Sequence, residues 1–251
     1  MIAEVRRHQA WPLTVLDDYW RQSRRPLTSL VFVLPLLVLY EGGVLLLGAS
    51  AVRNGADVWL RRLLDGLGFG QYFLLPVLTI AALLAWHHTT REPWRIRPRV
   101  LPAMLVEAML YGFGLMLLAQ LQGSLLVQLG GDPLTVSLRE QAASMLARLV
   151  AFFGAGIYEE VLFRLLLLPA LAGLLGLAVA AQKVKFAVAI LLTSLVFSLA
   201  HYVGAYGEAF QWFTFMFRFV AGLFFGVLFV TRGFGIAAGA HALYDIFVGL
   251  F

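Results

Sequence analysis

The sequence predicts an all-α fold, a polytopic bundle of about eight transmembrane helices. The composition supports this prediction, because 61% of the residues are hydrophobic, 13% are charged and the mean hydropathy is +0.85. A soluble protein has about twice that charged fraction. Several runs of roughly 18 or more residues also contain few charges, which is the pattern of membrane-spanning helices.

Eight apolar segments account for the predicted spans, since crossing a bilayer takes about 20 residues. The fifth and the eighth are short, which would suit a re-entrant or tilted helix. The segments cover residues 27–48, 69–88, 101–122, 142–166, 168–182, 186–203, 210–231 and 235–251. Residues 27–251 are therefore expected to form one integral membrane domain, preceded by a cytoplasmic or interfacial segment at 1–26. Within the spans, Gly222 and Gly226, like Gly235 and Gly239, have the spacing of close helix packing.

Basic residues between the apolar segments predict the orientation of the chain. Arginines are concentrated before the first span and in "HHTTREPWRIRPR", residues 87–99, after the second. By the positive-inside rule both regions are cytoplasmic, and an even number of spans returns the C-terminus to the same side of the cytoplasmic (inner) membrane. Lys183 and Lys185 disagree with this arrangement, because it places them on the outer side.

Composition also limits the function classes. The chain contains no cysteine, so disulfides, thiolate nucleophiles and cysteine-based metal sites are excluded. The net charge is +5 and the pI is near 9.8. In a membrane protein this surplus indicates contact with lipid headgroups and does not predict binding to nucleic acid. Residues 54–68, "NGADVWLRRLLDGLG", are amphipathic and are expected at the membrane surface.

Ionisable side chains inside the apolar segments are the candidates for function, because a charge in the bilayer interior is costly. Glu41 and Glu107 could line a substrate groove or pair with other helices; the structural role is favoured, with Arg218 as a candidate partner for either. The other six form a pattern: Glu159, Glu160, Arg164, His201, His241 and Asp245.

The first motif lies in "GIYEEVLFRLLLLP", residues 156–169, which is otherwise almost wholly apolar. On a helix Glu160 and Arg164 share a face and can form an ion pair. Glu159 points about 100° away, and a carboxylate in such a desolvated setting can serve as a general base. The alternative is a charged pair that marks the membrane interface, and this motif alone does not decide between the two.

Two histidine motifs follow. His201 lies in "FSLAHY", near the end of the sixth segment, where a lone histidine is more often a structural hydrogen-bonding group than a catalyst. His241 and Asp245 in "HALYD" are four residues apart, so imidazole and carboxylate share one helix face. This pair can orient the histidine, fix its tautomer or present two ligands, or it can be a satisfied buried polar pair.

The combination of these motifs on three separate segments favours a functional site. Their convergence would bring a glutamate and two histidines together in a wet intramembrane cavity. In such a cavity the glutamate can activate water while the histidines polarise a carbonyl or hold a metal ion.

The stretches "EEVLFR", "FSLAH" and "HALYD" resemble the three ordered motifs of the CPBP family, the CAAX-protease and bacteriocin-processing (Abi-type) intramembrane proteases. Members of that family show Glu-Glu-x-x-x-Arg, Phe-x-x-x-His and His-x-x-x-Asn/Asp. The resemblance covers residues 159–245, within a protease-like core at about 142–251.

The resemblance implies a role for each matching residue. Glu159 would be the general base that activates the attacking water. Glu160 would pair with Arg164 and shape the site. His201 would bind or orient the water, and Phe197 would pack beside the site.

His241 with Asp245 would stabilise the oxyanion of the tetrahedral intermediate. The prenyl endopeptidases of the family commonly have Asn where this chain has Asp245. Asn can donate a hydrogen bond to an oxyanion, whereas ionised Asp cannot. Asp245 could instead orient His241, act in its protonated form or help to bind a metal. This departure weakens the transfer of prenyl-substrate chemistry to this chain.

These residues leave the need for a metal open. Glu159, His201 and His241 could hold a divalent metal such as zinc with one open coordination position. The same set can run a metal-free glutamate mechanism, which is the favoured interpretation.

The sequence thus predicts an intramembrane endopeptidase that uses glutamate-activated water. Its substrate would be a membrane-associated peptide, lipidated or not. The alternative is a catalytically silent membrane scaffold or immunity-type binding protein of the same fold, which has no need of Glu159 and both histidines. A proton-coupled transporter would also suit buried Glu and His residues, but the inverted repeats typical of transporters are not seen in the sequence.

Overall fold

The computed structural model describes residues 15–128, 144–204 and 207–250. These residues form helices and turns, with no strand among them, which confirms the all-α prediction. Residues 1–14 of the predicted N-terminal segment and 142–143 of the fourth predicted span lie outside the described residues.

Nine helices run through this described part of the chain. Helix α6 is composite: Met145–Gly154 and Leu168–Leu175 are α-helical, and Ala155–Glu159 and Val161–Leu167 between them are π-helical. The bounds are α1 Val15–Ser23, α2 Pro26–Leu47, α3 Gly55–Gly66, α4 Leu74–Thr89, α5 Val100–Gln128, α6 145–175, α7 Gln182–Ala200, α8 Trp212–Arg232 and α9 Phe234–Leu250.

Several of these helices begin or end at residues that commonly mark helix ends. Pro26 occupies the first turn of α2, where its missing N–H costs nothing. Ser144 caps α6 by accepting a hydrogen bond from the Ala147 N–H at 3.2 Å. Gly233 has a φ of 87°, a left-handed conformation that suits glycine, and it lets the chain leave α8 and enter α9 at once.

Among the residues that the structure describes, four helices are long and apolar enough to cross a membrane, as expected of an integral membrane protein. They are Pro26–Ser50, which extends α2, and Val100–Leu125, Gln182–Ala200 and Trp212–Arg232 in α5, α7 and α8. Leu74–Thr89 and Phe234–Gly249 are shorter apolar helices. The predicted count of eight spans is therefore not confirmed.

The predicted fourth and fifth segments form one helix, α6, although Pro169 lies inside it. Proline ordinarily breaks a helix, because it lacks an N–H and its ring clashes with the carbonyl four residues earlier. Directly before Pro169 the helix is π-helical, with hydrogen bonds that reach five residues back. This widened stretch accommodates the ring, and the chain continues as a helix to Leu175.

Helix α9 lies at the centre of the bundle and packs against α2, α5, α6 and α8. Its approach to α6 is close, because a Cβ on Gly156 would lie 2.6 Å from the Cβ of Ala242. The two predicted glycine pairs also lie at helix contacts. A Cβ added to Gly222 or Gly226 of α8, or to Gly235 or Gly239 of α9, would lie 2.7 to 2.9 Å from the nearest atom of α7 or α2. The prediction of close helix packing is confirmed.

Contacts along the helices set their directions. Gly235 lies against Ser29 and Gly239 lies against Phe32, so α9 runs parallel to α2. The first residue of α2 and the last residue of α9 therefore lie at opposite ends of the bundle. The expectation that both chain ends lie on one side assumed an even number of spans, which this arrangement does not provide.

Helix α6 runs antiparallel to α9. Arg148 donates a hydrogen bond to the carbonyl of Gly249, and Glu160 contacts His241 further along both helices. The end of α6 and the start of α7 therefore lie at the end of the bundle where α2 begins. Lys183, in the first turn of α7, is placed at that same end.

Candidate active site

The first predicted ion pair forms within α6. The Arg164 Nη1 lies 3.0 Å from the Glu160 Oε1, and both side chains are fully buried. The guanidinium also donates from Nη2 to the carbonyl of Gly222 at 3.2 Å and lies 4.5 Å from the ring centroid of Phe197. The charge of Arg164 is thus compensated by a carboxylate, a carbonyl and an aromatic face.

His241 is held by the same carboxylate. Its Nδ1 lies 2.8 Å from the Glu160 Oε1, and its ring stacks on Phe225 with centroids 4.5 Å apart and planes at 13°. Because an ionised carboxylate only accepts hydrogen bonds, Nδ1 carries a proton when Glu160 is ionised. The two contacts fix both the tautomer and the plane of the imidazole.

The other nitrogen of His241 faces the two remaining acidic residues of the pattern. Its Nε2 lies 3.7 Å from the Glu159 Oε2 and 3.8 Å from the Asp245 Oδ2. Both distances are longer than a hydrogen bond. The Nε2 atom of His241 therefore faces both carboxylates at distances that exceed a hydrogen bond.

His201 lies at the end of α7, on the side of the site next to Phe197. Its Nδ1 lies 2.8 Å from the carbonyl oxygen of Phe197, so in the neutral ring Nδ1 donates and Nε2 is an acceptor. His201 lies close enough to Glu159 for an electrostatic interaction between the two side chains.

Phe197 packs among the site residues, as predicted. Its ring centroid lies 5.0 Å from that of His201, 6.2 Å from that of His241 and 5.1 Å from that of Phe163. The ring is 3% exposed, so it separates the two histidines and covers Arg164 with apolar surface. The structure thus brings all six predicted site residues together from α6, α7 and α9.

Comparison with known protein families identifies this part of the chain. Residues 141–247 match the family described as type II CAAX prenyl endopeptidase Rce1-like. The match supports the assignment of this segment to the CAAX protease family. The match contains every predicted site residue and agrees with the resemblance carried by the three motifs. No curated protein and no solved structure matches the chain.

One contact of the CAAX protease segment was missed by sequence reasoning. Asn54, at the start of α3, donates from Nδ2 to the Glu159 Oε1 at 2.7 Å, across a separation of 105 residues. An Asn before "GAD" is a helix-capping signal, and it would have given the start of α3. It carries no information about a partner so far along the chain.

Glu41 lies outside the site, in a second group of buried polar residues. Glu41 accepts hydrogen bonds from Arg61 at 2.9 Å and from the hydroxyl of Tyr158. The interpretation of Glu41 as structural agrees with these contacts, although its partner is Arg61 of α3. Helix α3 is amphipathic as predicted, yet Ala56, Asp57 and Leu60 on one face are buried within the protein.

Glu107 and Arg218 also have partners, but not each other. Glu107 pairs with Arg232, whose Nε lies 2.5 Å from the Glu107 Oε1. Arg218 donates from Nη2 to both oxygens of Glu208, at 2.7 and 2.8 Å. The suggestion that Arg218 pairs with Glu41 or Glu107 is therefore wrong. Sequence spacing could not reveal Glu208, because it lies in the loop before α8.

The three suggested zinc ligands do not form a metal-binding group. Among the described residues, no three His, Asp or Glu side chains converge in a way that could hold a metal ion. His241 directs Nδ1 at Glu160, which leaves only Nε2 toward Glu159. The convergence expected of a metal site is therefore not seen in the described part of the chain.

The predicted intramembrane cavity is not confirmed. A partly open pocket of about 150 Å³ lies between α3 and the start of α4. Its lining contains none of the six predicted site residues: it consists of Arg61, Leu64, Asp65, Phe69, Gly70, Gln71, Tyr72 and Leu75.

Proposed function

We propose that this protein is an intramembrane endopeptidase that hydrolyses a peptide bond with water activated by Glu159. The arrangement of the Glu159 carboxylate carries the proposal. One oxygen, Oε1, is held by Asn54 at 2.7 Å, and the other, Oε2, faces the His241 Nε2 at 3.7 Å. A carboxylate fixed at one oxygen and directed at a histidine with the other is suited to general-base chemistry. The match of residues 141–247 to a protease family supports the same conclusion.

In the proposed first step, Glu159 takes a proton from water as the water oxygen bonds to the carbonyl carbon of the substrate. The carbonyl electron pair moves onto oxygen, which forms a tetrahedral oxyanion. His201 orients the water through Nε2, because its Nδ1 is held by the carbonyl of Phe197. When the intermediate collapses, the carbon–nitrogen bond breaks and Glu159 returns the proton to the leaving amine.

His241 is the proposed oxyanion partner. Glu160 anchors it through Nδ1, and Nε2 is directed between Glu159 and Asp245. Because Nδ1 already carries a proton, Nε2 donates to the oxyanion when the ring is in its doubly protonated, cationic form. A donor whose orientation is fixed beforehand is the effective kind. We propose a mechanism without a metal, in agreement with the absence of a converging group of three His, Asp or Glu side chains among the described residues.

The proposed substrate is a membrane-associated peptide that reaches the site from the lipid. Large apolar side chains are exposed along the outer faces of the helices, among them Val38, Leu110 and Leu191. Contact with membrane lipids follows from these faces, and a protein substrate embedded in the same layer could approach laterally. The scaffold alternative has no comparable support, since a binding surface does not require a histidine that faces two glutamates.

Cleavage of a quenched fluorescent peptide library by the detergent-purified protein tests the proposal. We expect Glu159→Gln to lower kcat on the order of 10²- to 10⁴-fold, the usual contribution of a general base. The matched control is Glu92→Gln, which removes a carboxylate whose partner is Arg25 at 3.0 Å, outside the site. Wild-type cleavage by Glu159→Gln would refute the role of Glu159. Cleavage that is lost in a chelator would refute the metal-free mechanism.

A further inference from the structure

We propose that Asn54 is a positioning residue that sets the orientation of the Glu159 carboxylate, an inference that rests on the proposed function. Asn54 lies outside the segment that matches the CAAX protease family. Its effect on the reaction would be exerted through Glu159, because the described polar contacts of its side chain are with Ala56 and Glu159.

The two ends of the Asn54 amide have different partners. Oδ1 accepts a hydrogen bond from the N–H of Ala56 at 2.8 Å, which caps α3. Nδ2 donates to the Glu159 Oε1 at 2.7 Å. Because the amide is planar and its oxygen is fixed by the helix end, the direction of the donated hydrogen bond is fixed as well.

Helix α3 is itself held firmly. Asp57, three residues after Asn54, is fully buried and accepts hydrogen bonds from Arg61 at 2.6 Å, Arg53 at 2.9 Å and Tyr40 at 2.9 Å. Removing one partner from such a buried charged network is strongly destabilising. These contacts therefore fix the position of α3, the helix that Asn54 caps.

The same network reaches α6 next to Glu159. Arg61 pairs with Glu41 at 2.9 Å, and Glu41 accepts a hydrogen bond from Tyr158, the residue before Glu159. Two hydrogen bonds thus connect the region of α3 to this π-helical turn. One joins Glu41, the partner of Arg61, to the Tyr158 side chain, and the other joins Asn54 to the Glu159 carboxylate. The contact from His241 to Glu159 is 3.7 Å, too long to share in this orientation.

Two substitutions at residue 54 separate capping from positioning. Ser is a good helix cap, but its hydroxyl is too short to reach Glu159 as well. Asp is also a good cap and has the shape of Asn, but it directs a carboxylate oxygen at Glu159 in place of a donor. The control is Ser144→Ala, which removes the cap of α6 and leaves Asn54 in place.

The experiment measures kcat, KM and the unfolding temperature for Asn54→Ser, Asn54→Asp and Ser144→Ala. We expect kcat to fall roughly 10- to 100-fold in Asn54→Ser and further in Asn54→Asp, because misplacement of a catalytic group by about 1 Å has effects of this size. KM and the unfolding temperature should change little. Ser144→Ala should unfold at lower temperature with unchanged kcat. Wild-type kcat in both residue-54 variants would show that Asn54 is only a cap and would overturn the proposal.

An infrared measurement keeps this inference separate from the proposed function. The carboxylate stretching band of Glu159 is obtained as wild type minus Glu159→Gln, and again in the Asn54→Ser background. A shifted band supports the contact, and an unshifted band overturns it, even if the wild-type protein cleaves no peptide. Failure of cleavage in the wild type would count against the protease function alone.

Discussion

At the scale of single residues, the site is a set of buried charges that compensate one another. Glu160 is fully buried and contacts both Arg164 at 3.0 Å and His241 at 2.8 Å. An isolated charge at this depth would cost several kcal/mol. Each of the three groups therefore depends on the other two.

Removing one member should leave an uncompensated charge. We expect Arg164→Met to destabilise the protein by about 3–5 kcal/mol, the usual cost of breaking a buried pair from one side. The double variant Arg164→Met with Glu160→Gln should recover part of that loss, because no unpaired charge remains. Chemical unfolding in detergent measures both. Equal stability of Arg164→Met and wild type would show that the pair is not coupled.

Asp245 should tolerate replacement by an amide. His241 is already oriented by Glu160 and Phe225, and its distance to the Asp245 Oδ2 is 3.8 Å. We therefore expect Asp245→Asn to keep cleavage within about tenfold of wild type, since the amide preserves shape and can donate to an oxyanion. Asp245→Ala removes that group and should lose more. If Asp245→Asn were the more damaging of the two, the carboxylate itself would be required.

The residues of the site differ in how far sequence could predict them. The pairing of Glu160 with Arg164 follows from helical spacing and was predicted. The contact of Glu160 with His241 joins residues 81 apart, and that of Asn54 with Glu159 joins residues 105 apart. No local pattern specifies either partner, because both depend on which helices pack together. The motifs predicted which residues form the site but not these contacts between them.

At the scale of helices, glycines set how closely α6 approaches α9. A Cβ on Gly156 would meet the Cβ of Ala242 at 2.6 Å and the carbonyl oxygen of Ala238 at 2.8 Å. The carbonyl oxygen of Ala238 belongs to the backbone of α9, so displacing it has a substantial cost in free energy. The distance between Glu160 and His241, which lie on the same two helices, depends on this crossing.

Substitution of two glycines in α6 tests this dependence. Gly156→Ala should destabilise the protein by about 1–3 kcal/mol through overpacking and should lower kcat by separating Glu160 from His241. Gly173→Ala is the control, because nothing lies within 4 Å of a Cβ at that position. Alanine is the better helix former, so Gly173→Ala should be neutral or stabilising, with normal cleavage. A stable, fully active Gly156→Ala would mean that the crossing does not set the site geometry.

At the scale of the whole molecule, the helix directions collect basic residues at one end of the bundle. This end contains the start of α2, the α4–α5 loop and the start of α7. Its basic residues include Arg21, Arg24, Arg25, Arg91, Arg95, Arg97, Arg99, Lys183 and Lys185. Because α6 is one helix rather than two, Lys183 and Lys185 lie at the same end of the bundle as these arginines. The disagreement that Lys183 and Lys185 raised at the level of sequence thereby disappears.

The site lies in the other half of the bundle. His201 follows the last residue of α7, far along that helix from Lys183, and Asn54 follows the end of α2. If the basic end is cytoplasmic, as the positive-inside rule predicts, the reaction would take place nearer the outer face of the membrane. A substrate would then approach from that side.

Single cysteines can decide this orientation, because the chain has none of its own. Arg97→Cys, Lys183→Cys and Arg62→Cys each place a thiol at an exposed position, the last on α3 at the opposite end from the arginines. With a membrane-impermeant maleimide, we expect Arg62→Cys to label in intact cells and the other two only in inverted vesicles. Labelling of Lys183→Cys together with Arg62→Cys would instead require two separate crossings in place of α6. Labelling of Arg97→Cys and Lys183→Cys in intact cells, with Arg62→Cys protected, would keep the fold, reverse its orientation and move the reaction to the cytoplasmic side.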